Sequence, residues 1–374
     1  LYYQTRGGVA RLDTSQSGDH GGVTAVYYIL HESEDRVLIN QMSSSAADRQ
    51  ETPEGVAYFI DKKPDPADFL ADVLAGLSKS PKSVPPKFFY DETGSHLFNK
   101  ICETPEYYVT RTELGLLETY GAEISRLAGP SRAVIEYGCG SSLKINALLN
   151  CLTDPAEYLA IDISKKHLLQ TAEDIAGTHP AIRVGAVCAD FSRDLDLPKT
   201  VGEGGRRLAF FPGSTIGNQT PEEAAQFLEI VRKTVGHDGS LLIGVDLEKD
   251  SKILNAAYND KDGHTASFNL NLLHRIRIEL LGKLNMSQFR HDAFFNERLH
   301  RVEMHLVSLC DQDISVGGQT FHFANQETIH TENSYKYTVD RFTDLAMSAG
   351  FRITETWIDP DCLFSIHYLE VYEG

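Results

Sequence analysis

The stretch VIEYGCGSSLKINALL, Val134 to Leu149, decides the fold. Strand-like residues run into a G-x-G turn at Gly138 and Gly140, and apolar residues at helical spacing follow. A strand, a glycine turn and a helix make a place where backbone can approach a ligand closely and helix N–H groups point outward. The same texture continues downstream. Strand EYLAIDI (157–163), helix KKHLLQTAEDIA (165–176), strand RVGAVCADF (183–191), strand RLAFFPGSTIGN (207–218), helix PEEAAQFLEIVRKTV (221–235) and strand SLLIGVDL (240–247) follow in order. Short apolar strands alternating with helices predict an α/β fold with a doubly wound parallel sheet covered on both faces.

The turn also narrows the ligand. A dinucleotide fingerprint requires a third glycine so that the helix packs tightly on its strand, and Leu143 stands there instead. Glu136 precedes the turn. Asp162 ends the next strand, where a carboxylate can accept hydrogen bonds from both ribose hydroxyls of an adenosine. Asp190 and Phe191 end the third strand and offer an acid to the adenine amino group and a ring to its face. An adenosine cofactor without a diphosphate is S-adenosyl-L-methionine. Any one of these could be an ordinary polar strand end, but three strand ends in the correct order point to a cofactor site. Lys144 lies in the first helical turn, where the dipole disfavours a cation. It is therefore expected to be tied to an anion, the methionine carboxylate of the cofactor being the candidate.

A chain of 374 residues with 41% hydrophobic residues can bury a substantial core and hold two or three domains. Its formal charge of −18 is spread along the chain without a long basic block, which argues against nucleic acid as a partner. No apolar run approaches the roughly 20 residues that span a bilayer, and the start lacks the pattern of a secretory signal. The six cysteines are scattered, with no C-x-x-C and no histidine group at zinc spacing. A cytoplasmic protein with reduced thiols and no metal is the expectation. Leu1 is not an initiator Met, so the chain is expected to be trimmed, processed or excised from something longer.

Residues 1–65 stand apart. GGVTAVYYILHES and DRVLINQM read as two strands joined by a polar turn, followed by a loop at SSSAADRQETPEG, with no function legible in them. From about Pro66 the helical pattern ADFLADVLAGLSK begins, followed by a segment rich in aromatic residues at loop positions. Residues 250–335 interrupt the alternation with a helix around TASFNLNLLHRIRIEL and a strand pair at RVEMHLVSL and QTFHF. The tail predicts one helix, ended by Gly350 as a left-handed cap, and two strands.

Taken together, PPKFFYDETGSHLFNKICETPEYYVTRTE, VIEYGCGSSLK, FFPGSTIGNQTPEEA, GVDLEKD, LNAAYND and TENSYKYT resemble the histidine Nα-methyltransferase family of ergothioneine biosynthesis, which trimethylates histidine to hercynine. The resemblance runs from about residue 66 to the C-terminus. It implies a Rossmann-like sheet that binds S-adenosylmethionine (118–246 and 336–374) with an inserted α+β substrate-binding domain (66–117 and 247–335). It leaves residues 1–65 as an extension, open to an oligomer contact, a lid or a fusion partner. The family motifs for the cofactor fall on Gly138, Lys144, Asp162, Asp190 and Phe191. Those for a small amino-acid substrate fall on Tyr107, Asn218, Tyr258, Met304, Glu332 and Ser334, with Tyr90 also at the pocket and Tyr90 and Tyr107 positioning the reactants.

Those residue types suit the chemistry. Methyl transfer to an amine is an in-line attack that needs alignment and exclusion of water, and no covalent nucleophile or metal. An Asn amide and Tyr hydroxyls can hold an α-carboxylate without a cation that would repel a sulfonium. Glu332 and Ser334 can grip the two nitrogens of an imidazole. Read without the resemblance, the tyrosines are ordinary core residues, Asn218 shapes the turn before a helix capped by Thr220, Met304 is core, and Glu332 with Ser334 is a surface pair. Two departures from the family pattern stand at Cys139, a small filler between the glycines, and Tyr137, bulkier than the usual aliphatic residue. Alternative readings are a methyltransferase for an indole amino acid such as dimethylallyltryptophan, a non-catalytic domain that binds S-adenosylmethionine, and a dinucleotide oxidoreductase.

Overall fold

The computed structural model describes residues 2–5, 8–15, 24–29, 52–62, 69–140, 142–193, 195, 197, 201–202 and 206–372. The chain forms two compact units, Leu1–Glu51 and Thr52–Gly374. In the first, β1 (Tyr2–Thr5), β2 (Gly8–Ser15) and β3 (Thr24–Ile29) form an antiparallel sheet in that order. The strand expected in GGVTAVYYILHES is β3. The one expected in DRVLINQM lies outside the described residues.

The second unit opens with β4 (Val56–Asp61), α1 (Phe69–Leu77), the short β5 (Lys82–Ser83) and α2 (Glu92–Glu103). The long α3 (Val109–Ala128) follows, then β6 (Ala133–Tyr137), α4 (Ser142–Cys151), β7 (Glu157–Asp162) and α5 (Lys165–Thr178). Next come β8 (Arg183–Cys188), β9 (Arg207–Phe211), α6 (Pro221–Val235) and β10 (Ser240–Asp246). Helices α7 (Ser251–Ala257) and α8 (His264–Glu279) precede strands β11 (Phe289–Asn296), β12 (Arg301–Ser308), β13 (Gln312–Val316), β14 (Gln319–Phe323) and β15 (Thr328–Tyr335). The chain ends with α9 (Val339–Ser348), β16 (Phe351–Ile358) and β17 (Phe364–Val371).

The main sheet has the order β16-β17-β10-β9-β6-β7-β8-β4. Its six strands from β10 to β4 are parallel, and β17 and β16 add antiparallel pairs at one edge. Alternate residues of each strand feed two cores, as a sheet covered on both faces requires. Val134, Tyr158, Ala160, Leu208 and Leu242 pack with α3, α4 and α5. Ile135, Leu159, Ala209, Phe211 and Ile243 pack with α6 and α9. Helix α6 starts where its sequence says it should: Thr220 and Glu223 form a reciprocal capping box, with Pro221 at the first position.

Three expectations need correction. Strand β4 pairs in parallel with β8, so residues 56–61 belong to the main sheet and not to an extension ending at 65. Pattern reading missed it because an edge strand far along the chain from its partner carries no local signal. Helix α3 runs unbroken through residue 117 and packs on α4 and β17, so no boundary falls there. The strands at RVEMHLVSL and QTFHF do not pair with each other. β12 lies between β11 and β15, while β14 forms a hairpin with β13 around Gly317 and Gly318.

Two segments inserted between strands of the main sheet, one between β4 and β6 and one between β10 and β16, share a second layer. A four-stranded sheet has the order β11-β12-β15-β5, closed by parallel pairing of β5 with β15. Helix α8 packs on β11 and β12 on one side and on α2 on the other.

Candidate functional site

The strand order reverses between β6 and β9, and in open α/β sheets ligands lie at that switch point beyond the carboxyl ends of the strands. Gly138 leaves β6 with φ +75°, a conformation that L side chains rarely adopt, and a Cβ there would stand 3.6 Å from the Phe191 ring. At Gly140 a Cβ would meet nothing within 4 Å, so the turn faces open space. Asp162 ends β7 beside it. Its Oδ1 accepts from the Ser164 N–H at 2.7 Å, and burial holds its pKa above the usual carboxylate range against that bond, His167 and the Cys139 thiol. Cys139 is thus a neighbour of the acid as well as a filler. Ile163, next in the chain, leaves 42% of its surface open, an apolar wall beside the acid. An aspartate, an uncovered apolar residue and a bare backbone turn at one strand edge fit the ribose, adenine and methionine parts of S-adenosylmethionine.

The other cofactor candidates are held by the protein. Asp190 accepts from Ser192 through its backbone N–H at 3.0 Å and its hydroxyl at 2.6 Å. Phe191 packs edge-on against Tyr137, Phe211 and Phe227, with centroids 5.8 to 6.2 Å away, so the bulk of Tyr137 is absorbed into an aromatic cluster beneath the turn. Glu136 is buried and accepts from the Tyr158 hydroxyl at 2.6 Å, and burial raises its pKa to about 8. Lys144 meets its anion inside the protein: Nζ lies 2.6 Å from Glu113 Oε2. The same carboxylate accepts from the Gly213 N–H at 2.9 and 3.0 Å, which ties α3, α4 and the end of β9 together at the switch point. Gly244 makes room for Glu113, since a Cβ there would collide with Oε1.

The substrate candidates converge across the cleft. The 3-10 turn Thr215–Asn218 leans on β15, because Gly217 lets its backbone approach Tyr335. Asn218 makes no side-chain hydrogen bond to a described residue. Tyr107 and Tyr258 are edge to face at 6.5 Å, and Phe98 and Phe268 carry Tyr90 at 5.8 and 5.7 Å. Tyr90 is 41% exposed although aromatic neighbours surround it, so its surface opens into the cleft. The aromatic packing around the Tyr90 ring raises its pKa above the ordinary value of 10 by keeping water from the hydroxyl, and Glu332 and Asp162 push the same way. Burial likewise raises the Tyr107 pKa, so both phenols stay protonated at neutral pH.

On β15, Glu332 and Ser334 are two residues apart on one face, above Met304 and Val302 of β12. Met304 is buried. The Glu332 carboxylate has no hydrogen-bond partner among the described residues, and burial raises its pKa to about 7 against the pull of Lys336. Ser334 is not free as expected. Its Oγ accepts from the Tyr258 hydroxyl at 2.7 Å and from Lys336 Nζ at 2.8 Å, so Tyr258 directs its proton to Ser334 instead of outward.

Behind them lies a charge network that pattern reading missed. Asp246 at the end of β10 takes Lys336 at 2.6 Å, Lys249 at 2.5 Å and the Tyr108 hydroxyl at 2.8 and 3.0 Å. All are buried. The only signal was an acid ending the apolar run LLIGVD, which has to be paired to be stable there. Two ammonium groups on one carboxylate leave an excess positive charge close to Glu332. This differs from a site free of cations.

Glu303, His305 and His330 bring ligand-type atoms within 4.8 Å of one another on the other face of this sheet. The spacing along the chain gave no hint of it. Glu303 is already bonded to Arg301 at 2.8 Å and to His305 at 3.0 Å.

The family model for SAM-dependent, histidine-specific methyltransferases matches residues 69–371. The chain belongs to this family. It is 40% identical to a histidine Nα-methyltransferase of Mycolicibacterium smegmatis over 77% of this chain and 90% of that one. An ergothioneine biosynthesis protein 1 of Neurospora crassa is 27% identical, with 74% of this chain matching 32% of that longer protein. A 4-dimethylallyltryptophan N-methyltransferase of Claviceps purpurea is 24% identical over 80% of this chain and 94% of its own. The family is SAM-dependent, which agrees with the site at the switch point. Among the described residues no helix is long and apolar enough to cross a membrane.

Proposed function

We propose that the chain methylates the α-amine of L-histidine three times to give hercynine, the first step of ergothioneine biosynthesis. The observation that carries this is Glu332, a half-buried carboxylate without a hydrogen-bond partner among the described residues, beside the Ser334 hydroxyl on the same face. That pair suits an imidazole. It does not suit an indole, which has one N–H and no ring acceptor and would leave polar groups unpaired.

S-adenosylmethionine supplies an electrophilic methyl group on a sulfonium sulfur. Asp162 takes the ribose hydroxyls, the turn at Gly138 takes the methionine end, and Asp190 with Phe191 borders the adenine. Lys144 holds the turn through Glu113. Tyr90 and Tyr107 position the amine, and their raised pKa values make them hydrogen-bonding groups and not bases. The Asn218 amide is open to the α-carboxylate, with Tyr258 and Met304 as walls. The layer built from β5, α2, α8 and β11–β15 acts as the substrate-binding part. All six thiols are unpaired, in keeping with a reducing cytoplasm, and a contact or fusion partner would engage residues 1–51.

The test is mass spectrometry after incubating the purified chain with S-adenosylmethionine and a mixture of the common amino acids plus dimethylallyltryptophan. Histidine gaining three methyl groups is expected. Methylation of dimethylallyltryptophan alone, or of no compound while the cofactor still binds, would refute the reading.

A further inference from the structure

Lys336 is buried, and its ammonium has three N–H groups to place. All three have acceptors: Asp246 Oδ2 at 2.6 Å, Ser334 Oγ at 2.8 Å and the Tyr258 hydroxyl at 3.1 Å. The ammonium is held from behind, because Asp246 is itself fixed by Tyr108 and Lys249, and the Asp246 N–H donates to Ser214 Oγ at 2.9 Å. Tyr258 also donates to Ser334 Oγ at 2.7 Å. A serine oxygen has two lone pairs and one proton. In Ser334 both lone pairs are occupied, one by Lys336 and one by Tyr258, and only the proton remains to be offered.

We propose that Lys336 is a positioning residue that fixes Ser334 as a hydrogen-bond donor, so that the site takes the neutral imidazole of the substrate in a single tautomer. The inference rests on the histidine reading above. Glu332, ionised, can only accept, and Ser334 can only donate. A ring bound between them must present an N–H to the carboxylate and a lone pair to the hydroxyl. Neutral imidazole does this in one of its two tautomers. An imidazolium would aim a second N–H at an oxygen without a lone pair to receive it, and a buried donor left unpaired in this way is costly. The same arithmetic excludes indole, which has no ring acceptor for the Ser334 proton. The two hydroxyls and the lysine thus act as one recognition element, and the selective group is two residues from the charge that sets it.

The first experiment is ¹⁵N NMR of ring-labelled histidine bound to the full chain with S-adenosylhomocysteine, which allows binding but no transfer. One pyrrole-like and one pyridine-like nitrogen are expected in the wild type. Two equivalent, protonated nitrogens would overturn the proposal. If the same protein methylates histidine in the product assay, that result leaves the activity standing and removes only this inference. In Lys336→Met the separation of the two signals should collapse and the histidine KM should rise about tenfold or more, with kcat within a few-fold and cofactor affinity unchanged. Lys336→Arg, which keeps the charge and several donors, should recover part of the KM. An unchanged KM in Lys336→Met, or kcat, KM and cofactor affinity deteriorating together with no recovery by Arg, would show a merely structural lysine. Should Lys336→Met fail to fold, Ser334→Ala carries the test, because it removes the donor and leaves the ion pair. A similar rise in KM is expected, and an unchanged KM would refute the proposal.

Discussion

The two halves of the cleft hold their carboxylates in opposite ways. On the cofactor side Asp162 and Asp190 are braced by backbone and hydroxyl groups of the residues that follow them, Ser164 and Ser192. On the substrate side Glu332 has no such brace among the described residues, and a network of buried charges stands behind its neighbour Ser334. A strand-end acid that pairs with its own turn is preorganised for any ligand presenting hydroxyls, so it suits a cofactor shared by many reactions. A carboxylate left without a partner in an enclosed site is stabilised only by the ligand that completes it. The contrast separates where affinity is generic from where selection is made.

Removing either acid should break the contrast in its own half. Asp162→Ala should have the largest effect. Loss of two charge-assisted hydrogen bonds to ribose, each worth about 1.5–3 kcal/mol, should weaken cofactor binding by roughly 10²-fold or more, as calorimetry would show. Unchanged affinity would refute the ribose assignment. Glu332→Ala should come next, lowering kcat/KM for histidine by roughly 10²-fold while the cofactor Kd stays the same. Equal losses of both would mean that Glu332 supports the whole cleft and not the imidazole. Gly138→Ala should be milder, since the Cβ meets the Phe191 ring at an ordinary contact distance of 3.6 Å but the left-handed backbone is strained. About 1–2 kcal/mol of stability should be lost, readable as a lower denaturation midpoint, with cofactor affinity falling in parallel.

The same contrast explains what could be read from the sequence. The cofactor candidates are local: a strand, a turn and an acid follow one another, so VIEYGCG, YLAIDI and CADF mark them as candidates without knowledge of the fold. The substrate half is assembled from the segments flanking α2, the turn after β9, the end of α7, β12 and β15, which together span more than two hundred positions. Its members came from family resemblance, and periodicity could not have gathered them. Asp246, Lys249, Lys336 and Glu113 were missed for a related reason. A buried charge is legible only through its partner, and Lys336 for Asp246 and Lys144 for Glu113 lie far along the chain, although Lys249 stands three residues from Asp246. Lys144 shows the same limit, because the helix dipole demanded an anion and the fold supplied Glu113.

The smallest expected effect comes from pH and compares a buried carboxyl, Glu136, with a half-buried one, Glu332. Burial raises Glu136, on β6, to about 8 and Glu332, on β15, to about 7. Both lie above the ordinary value of 4.5, so the folded chain binds these protons more tightly than the unfolded one. Their contribution to stability is therefore fully present below about 4.5 and is lost as pH rises through 7 and 8. For activity the sign is reversed at Glu332, since its ionised form accepts an imidazole N–H more strongly than the neutral acid does. Between pH 6 and 8 its ionised fraction should rise from about one tenth to nine tenths, and kcat/KM for histidine should rise by up to about tenfold. Glu332→Gln should remove the part of that rise due to the carboxyl, leaving the part that follows deprotonation of the substrate's own imidazole and amine, while lowering activity throughout. Glu136→Gln should leave the activity profile as it is and flatten the fall of thermal stability with pH. If Glu136→Gln instead moved the activity profile, the ionisation that governs turnover would belong to the cofactor half, and the division of labour between the two sides would have to be redrawn.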